Sequence, residues 1–269
     1  MQPADLDSIA AELLDLLGTG RQVGTLATRH PGFSLEDGYA VVARLRALRE
    51  ARGERVVGRK IGFTNTAVWD GHGIAAPIWH FMFDTSVRDL DDQPFPLRGF
   101  PEPLIEPEIV LHLARAPDHG MDEAALLGCI DWVAHGFEVV ASPFPGWSFG
   151  AADAAAAFGV HAGLRIGPRH AVADDRTAWL RRLSEFRIVL ARDGGEAVQG
   201  EAANVLGGPL SALRFLVEEL ARRSGSAALR AGEVVTTGTL TRAMPVRPGD
   251  TWRTRLDGAP FEGLRLSFR

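Results

Sequence analysis

The sequence predicts an α+β protein: a helical N-terminal segment, residues 1–54, followed by a β-rich domain over 55–269. Two observations carry this. Apolar residues recur at helical spacing up to about residue 51. From Arg55 onward, short β-like runs separated by Gly, Pro and Asp replace that pattern. A third observation bounds the class. At 269 residues the chain can bury a large core, and two isolated helical stretches within the second part give α+β rather than all-β.

In order, the spacing predicts a helix over residues 5–17. A second runs from Ser34, a plausible N-cap, to Ala51, with Val41, Val42, Leu45 and Leu48 as its stripe. The β-like runs are RVVGRKIGFT, LIEPEIVLHL, FRIVLARDG, EVVTTGTL, DTWRTRL and GLRLSF. Helices are expected at 121–133, where Asp122 and Glu123 suit a first turn, and at 209–224, opened by Pro209.

Composition excludes several function classes. Lys and Arg number 29 against 34 Asp and Glu, a net charge of −5, with no like-charged block of the kind that grips nucleic acid. Cys129 is the one cysteine, so there is no internal disulfide and no multi-cysteine zinc or iron–sulfur site. GGPLSA lacks the Lys-Ser/Thr of a phosphate loop. The acidic, amphipathic start does not read as a signal peptide, and no apolar run reaches the ~20 residues of a membrane span. The expectation is a soluble, cytoplasmic protein whose partner is a small molecule, with no nucleic acid or membrane.

The chemistry concentrates in LIEPEIVLHL. In a strand, Glu106 and Glu108 project from one face while Ile105, Pro107 and Ile109 project from the other. Paired carboxylates in an apolar setting require either solvent or a cation. A solvated strand face would also carry such a pair. Glu138, in the apolar run HGFEVVAS, reads either as a carboxylate paired with Arg or bonded at a turn, or as a third ligand. Three carboxylates suit Mg²⁺ or Mn²⁺, and the eight histidines show no zinc-ligand spacing. Lys60, flanked by Val57, Ile61 and Phe63, is either a snorkelling or ion-paired lysine, or an amine of depressed pKa that handles a proton.

The ordered set GRKIGFT, EPEIVLHL, DWVAHGFEVVAS, VLGGPLSALRFL, LRAGEVVTTGTLT and VRPGD resembles the 2-keto-4-pentenoate hydratase and 4-oxalocrotonate decarboxylase branch of the fumarylacetoacetate hydrolase superfamily, from about residue 55 to the C-terminus. The resemblance implies a mixed β-roll and a homo-oligomer. It also implies a divalent metal, Mg²⁺ or Mn²⁺, on Glu106, Glu108 and Glu138, with Lys60 as the catalytic proton-handling group and a 2-oxo acid as substrate. Phe63, Thr64, Ser142 and Thr239 fall at its substrate-binding positions. Two departures stand out: Pro143 where an arginine often follows the serine, and Ala157-Phe158 in place of Asp-Asn.

The implied reaction is that of a lyase on unsaturated 2-oxo acids from aromatic meta-cleavage. The alternatives are an acylpyruvate C–C hydrolase and a non-catalytic 2-oxo-acid-binding subunit. Within the branch, hydratases carry Pro-Asp where this chain has Pro77-Ile78. An alkyl group cannot activate water, whereas with Trp79 it offers a dry surface for loss of CO₂. That leans toward decarboxylation of a 4-oxalocrotonate-like diacid over dienoate hydration, unless His80 or Asp84 supplies the base.

Overall fold

The computed structural model describes residues 1–66, 69, 77–173, 175–223 and 227–269. Residues 73–76, ahead of Pro77, and Ser224, at the expected end of the last helix, lie outside them. No helix among the described residues is long and apolar enough to cross a membrane.

Three helices open the chain: α1 (Pro3–Leu16), α2 (Leu26–Arg29) and α3 (Leu35–Ala51). Ser34 caps α3 through a full capping box. Its hydroxyl accepts from Asp37 N at 3.2 Å, and its own N–H donates to Asp37 at 2.9 Å. Val41, Val42 and Leu45 are buried as the spacing requires, but Leu48 is 38 % exposed and lies off the packed stripe.

Among the described residues, the β-rich part is two sheets. Strands β1 (Val56–Gly62), β2 (Ile78–Phe83), β3 (Val87–Asp89), β4 (Leu104–Leu113), β5 (Ile130–Val140), β6 (His161–Ala171), β9 (Val234–Thr236) and β10 (Met244–Pro245) make the larger. Its order is β2-β1-β9-β4-β5-β6-β3, with β10 paired to β4. The smaller sheet is β12 (Arg265–Ser267), β11 (Thr251–Asp257), β7 (Arg187–Arg192) and β8 (Ala197–Glu201), in that order. A mixed, curled sheet of this kind with helices around it is the expected β-roll.

The expected helix over 121–133 is corrected. Asp122 caps a single short helix, α4 (Glu123–Leu127), which Gly128 closes, and β5 begins at Ile130. Cys129 and Trp132 are therefore not helical. The run from Ile130 to Val140 is rich in β-branched and aromatic residues and pairs along both edges, with β4 and β6, so sheet burial overrides the short apolar stretch ahead of it. The expected helix at 209–224 is α7 (Pro209–Arg222), following α5 (Ala151–Ala156) and α6 (Arg176–Arg182).

The N-terminal helices matter to the site because of what they bury. Leu13, Leu14, Leu26, Val41 and Leu45 form one apolar cluster with Phe144, Ala156, Ala157 and Phe158. That cluster supports the turn at 158–160 from behind, in which Phe158, Gly159 and Val160 all have positive φ, at 59°, 56° and 57°. Left-handed conformations at Phe and at β-branched Val persist only where packing imposes them.

Replacing Ser34 by alanine removes the cap of α3 and should cost about 1 kcal/mol of stability. Chemical denaturation with the m-value unchanged measures it.

Candidate metal and substrate site

Antiparallel pairing of β4 with β5 sets Glu106 directly opposite Glu138 and Glu108 opposite Gly136. One oxygen from each of Glu106, Glu108 and Glu138 lies within 4.8 Å of the others. Glu108 and Glu138 are fully buried. Like charges directly across a ladder are unfavourable, and more so away from water.

Glu108 and Glu138 are each held by partners of their own. Glu108 Oε2 accepts from Gly238 N at 2.8 Å. This contact depends on a bare backbone: Gly238 has φ 97°, and a Cβ there would sit 2.1 Å from Thr64 Oγ1. Glu138 Oε1 bonds His161 Nδ1 at 2.7 Å, and His161 Nε2 in turn bonds Ser86 Oγ at 3.0 Å. Glu138 Oε2 faces Lys60 Nζ at 3.3 Å. Lys60 Nζ also donates to the Gly159 carbonyl at 3.0 Å. A side chain at Gly159 would press on Lys60 Cδ at 2.8 Å, so the glycine lets the lysine lie against the turn.

The residues fit a divalent cation. Glu108 Oε1 and Glu138 Oε2 are buried with no hydrogen-bond partner. Three carboxylates against one ammonium leave a deficit of two positive charges, and an all-oxygen set suits a hard ion. Glu106, Glu108 and Glu138 would hold it.

Electrostatics without the ion show the frustration. Burial pushes Glu106 up to about 7 and Glu108 well above the ordinary carboxylate range, with repulsion from Glu138 adding to both. Burial opposes ionisation of Glu138 too, but the Lys60 charge and the bond from His161 win and hold it at about 2. Of the two readings of position 60, the ion-paired lysine holds and the amine of depressed pKa is corrected. Burial alone would lower Lys60, but the charges of Glu138, Glu106 and Glu108 outweigh it and raise the pKa. Lys60 is an ammonium held among acids.

These groups open into a cavity of 470 Å³. Phe63, Thr64, Ile78 and Thr239 line it, with Lys60 and Glu106. Ser142 does not: its hydroxyl donates to Phe144 O at 2.8 Å and accepts from Phe144 N at 3.0 Å within its own turn. Ile78 pairs with Gly62 across β1–β2 and stands over that glycine. Trp79, on the other face of β2, stacks on Tyr39 at 5.1 Å and is absent from the cavity wall. His80 is fully buried behind the wall, with Nδ1 at 2.9 Å from Phe81 O, and burial lowers its pKa to about 3. Asp84 is taken by Arg55, at 3.0 Å from its N–H and 2.9 Å from Nε.

Sequence reasoning missed His161, Gly159, Gly238, Trp147, Phe149, Asn204 and Arg242. The departure at Ala157-Phe158 lies beside Gly159 and His161 in the chain, but nothing local marks either as facing Lys60 or Glu138.

No family model matches the chain. It is 33 % identical over 254 residues to a 2-keto-4-pentenoate hydratase of Burkholderia vietnamiensis, covering 93 % of each chain. It is 32 % identical over 235 residues to a 4-oxalocrotonate decarboxylase of Pseudomonas sp. strain CF600, covering 85 % of this chain and 84 % of that one. Among solved structures, 4-oxalocrotonate decarboxylase from Pseudomonas putida G7, complexed with magnesium and adipate, superposes with a TM-score of 0.90 at 26 % identity, covering 100 % of this chain and 99 % of that one. A fumarylpyruvate hydrolase from Pseudomonas aeruginosa, in complex with Mn²⁺ and pyruvate, shares the fold at TM-score 0.56 and 13 % identity, covering 79 % of this chain and 90 % of that one. The chain belongs to the family of 2-keto-4-pentenoate hydratases and 4-oxalocrotonate decarboxylases, which are metal-dependent lyases, and it shares its fold with fumarylacetoacetate hydrolase family proteins.

The raised carboxylates set a pH dependence. A raised acid pKa means the folded state binds more protons than the unfolded one, so stability is lost as pH rises through the folded value. His80 and His135, lowered by burial to about 3 and about 4, act oppositely, gaining stability up to the unfolded histidine value of about 6.5. Above about pH 6.5 only the carboxylates remain. Metal-free protein should therefore lose melting temperature between pH 6.5 and 8.5, and a divalent ion should restore it. A flat profile in chelator would contradict the buried, proton-holding triad.

Proposed function

We propose that the protein is a magnesium-dependent decarboxylase of 4-oxalocrotonate-like unsaturated 2-oxo diacids in the catabolism of aromatic ring-cleavage products. The observation that carries the choice is the cavity wall. Among the described residues lining it, Glu106 is the one carboxylate and there is no histidine, while Ile78 stands where a water-activating acid would be needed. The relatives support the family chemistry, and the magnesium in the Pseudomonas putida structure supports the choice of ion. A homo-oligomer in the cytoplasm is the proposed setting.

When bound by Glu106, Glu108 and Glu138, a divalent ion supplies a Lewis acid that stabilises negative charge developing on a 2-oxo acid. The chain's own residues do the rest. Lys60 holds a proton at Nζ, aimed by Glu138 and the Gly159 carbonyl. Its ammonium, ion-paired with Glu138 and lining the cavity, is the group placed to exchange that proton with a bound 2-oxo acid. Ile78, Phe63 and Val160 exclude water from the substrate's carbon chain.

Hydration of a 2-hydroxy-2,4-dienoate is the second reading, favoured by the similarity to the Burkholderia hydratase. Following CO₂ release and 4-hydroxy-2-oxo acid formation side by side with Mg²⁺ separates the two. The diacid should lose CO₂ faster than the dienoate gains water, and Ile78→Asp should move the ratio toward hydration. Dominant hydration by the wild type would refute the decarboxylase reading.

Glu106→Ala, Glu108→Ala and Glu138→Ala should each abolish most Mg²⁺ binding by calorimetry while leaving a folded protein. Lys60→Ala should lower turnover by a factor on the order of 10². Full activity after exhaustive chelation would overturn the metal assignment.

A further inference from the structure

We propose that Arg242 is a specificity-determining residue that captures the distal carboxylate of a dicarboxylate substrate, an inference that rests on the 2-oxo-acid reading of the same cavity. Among the described lining residues, the cations are Lys60 and Arg242. They differ in every respect that bears on ligand binding. The Lys60 side chain is 3 % exposed and already engaged by Glu138 and the Gly159 carbonyl. The Arg242 side chain is 70 % exposed, and its ion-pair partner is Glu196, at 3.9 Å and itself 50 % exposed. An exposed pair at that separation is weak and screened, so a ligand carboxylate can displace it.

The base of Arg242 is nevertheless fixed. Thr239 Oγ1 donates to Thr241 O at 2.9 Å, Thr241 Oγ1 donates to Arg242 O at 2.9 Å, and Asn204 Nδ2 donates to Leu240 O at 2.8 Å. A guanidinium carried on a locked loop at the cavity wall has little backbone entropy to lose on binding, and its planar donors suit two-point recognition of a carboxylate. Phe63, Ile78, Trp147, Phe149 and Val160 supply apolar wall to the same cavity. The cavity thus offers a polar buried end at Lys60 and Glu106, apolar walls, and a cation at its open end. A rod with a 2-oxo acid head, a hydrocarbon middle and a terminal carboxylate matches all three; a monoacid leaves Arg242 unused.

The contact acts on capture more than on chemistry. If CO₂ departs from the end that Arg242 grips, that grip stabilises the ground state and is released in the transition state, so its loss raises KM and does not lower kcat.

The test compares 2-oxoadipate with 2-oxohexanoate, which share the head and the chain length and differ in the terminal carboxylate. Calorimetry on the Mg²⁺-loaded protein should give 2-oxoadipate an affinity higher by about tenfold. Arg242→Gln should bring that ratio close to one. Glu196→Gln, which removes the competing acid, should raise it. Equal binding of the two compounds by the wild type, or a ratio unmoved by Arg242→Gln, would overturn the inference and leave the 2-oxo-acid reading standing. Failure of both compounds to bind would overturn that reading, and the inference with it.

Discussion

The pairing of Glu106 against Glu138 across β4 and β5 is the constraint on which the rest of the site depends. Three acids with two of them sealed from water are unstable as three anions, and the surrounding structure is arranged around that fact. Lys60 neutralises one charge and His161 bonds one oxygen, while Gly238 N bonds a second. Glu108 Oε1 is left without a donor and Glu138 Oε2 has only the Lys60 ammonium at 3.3 Å, and a divalent ion would answer both the missing bonds and the missing charge. Unlike the isolated unpartnered atoms elsewhere in the core, these two oxygens belong to carboxylates of one cluster, which is the arrangement a cation would satisfy.

The second dependence runs outward from Lys60. Its ammonium is aimed by the Gly159 carbonyl, in a turn where Phe158 and Val160 hold positive φ. Strain of that kind persists only under firm packing, and the N-terminal helices provide it through the cluster that includes Phe144, Ala157 and Phe158. The helical segment, which carries none of the acids, thereby shapes the position of the site's central cation. The cavity beyond is asymmetric in polarity, with acids and ammonium at the sealed end and alkyl and aromatic side chains along its walls. That asymmetry suits a substrate whose reactive head is chelated and whose carbon chain must stay dry.

Much of this was legible because it is local. The Ser34 cap, the strand period that puts Glu106 and Glu108 on one face, and the Pro209 helix start each follow from a few adjacent residues. The helix expected at 121–133 failed for the complementary reason: only pairing with two neighbouring strands decides that Ile130 to Val140 is sheet. The expectation that Trp79 joins Ile78 at the cavity fails on a local rule instead, since strand alternation turns it to the opposite face.

The sequence by itself determined the acids, the lysine, the alkyl group at position 78 and the order of motifs that identify the family. Tertiary structure alone decided which groups meet. Glu138 joins Glu106 because of strand register, His161 reaches Glu138 across 23 residues, and Gly238 reaches Glu108 across 130. It also decided between the two sequence readings of Lys60, in favour of the ion-paired lysine over the amine of depressed pKa. Burial and neighbouring charge pull a lysine's pKa in opposite directions, and their balance is set by distances of a few ångströms between residues far apart in the chain, which no local pattern encodes.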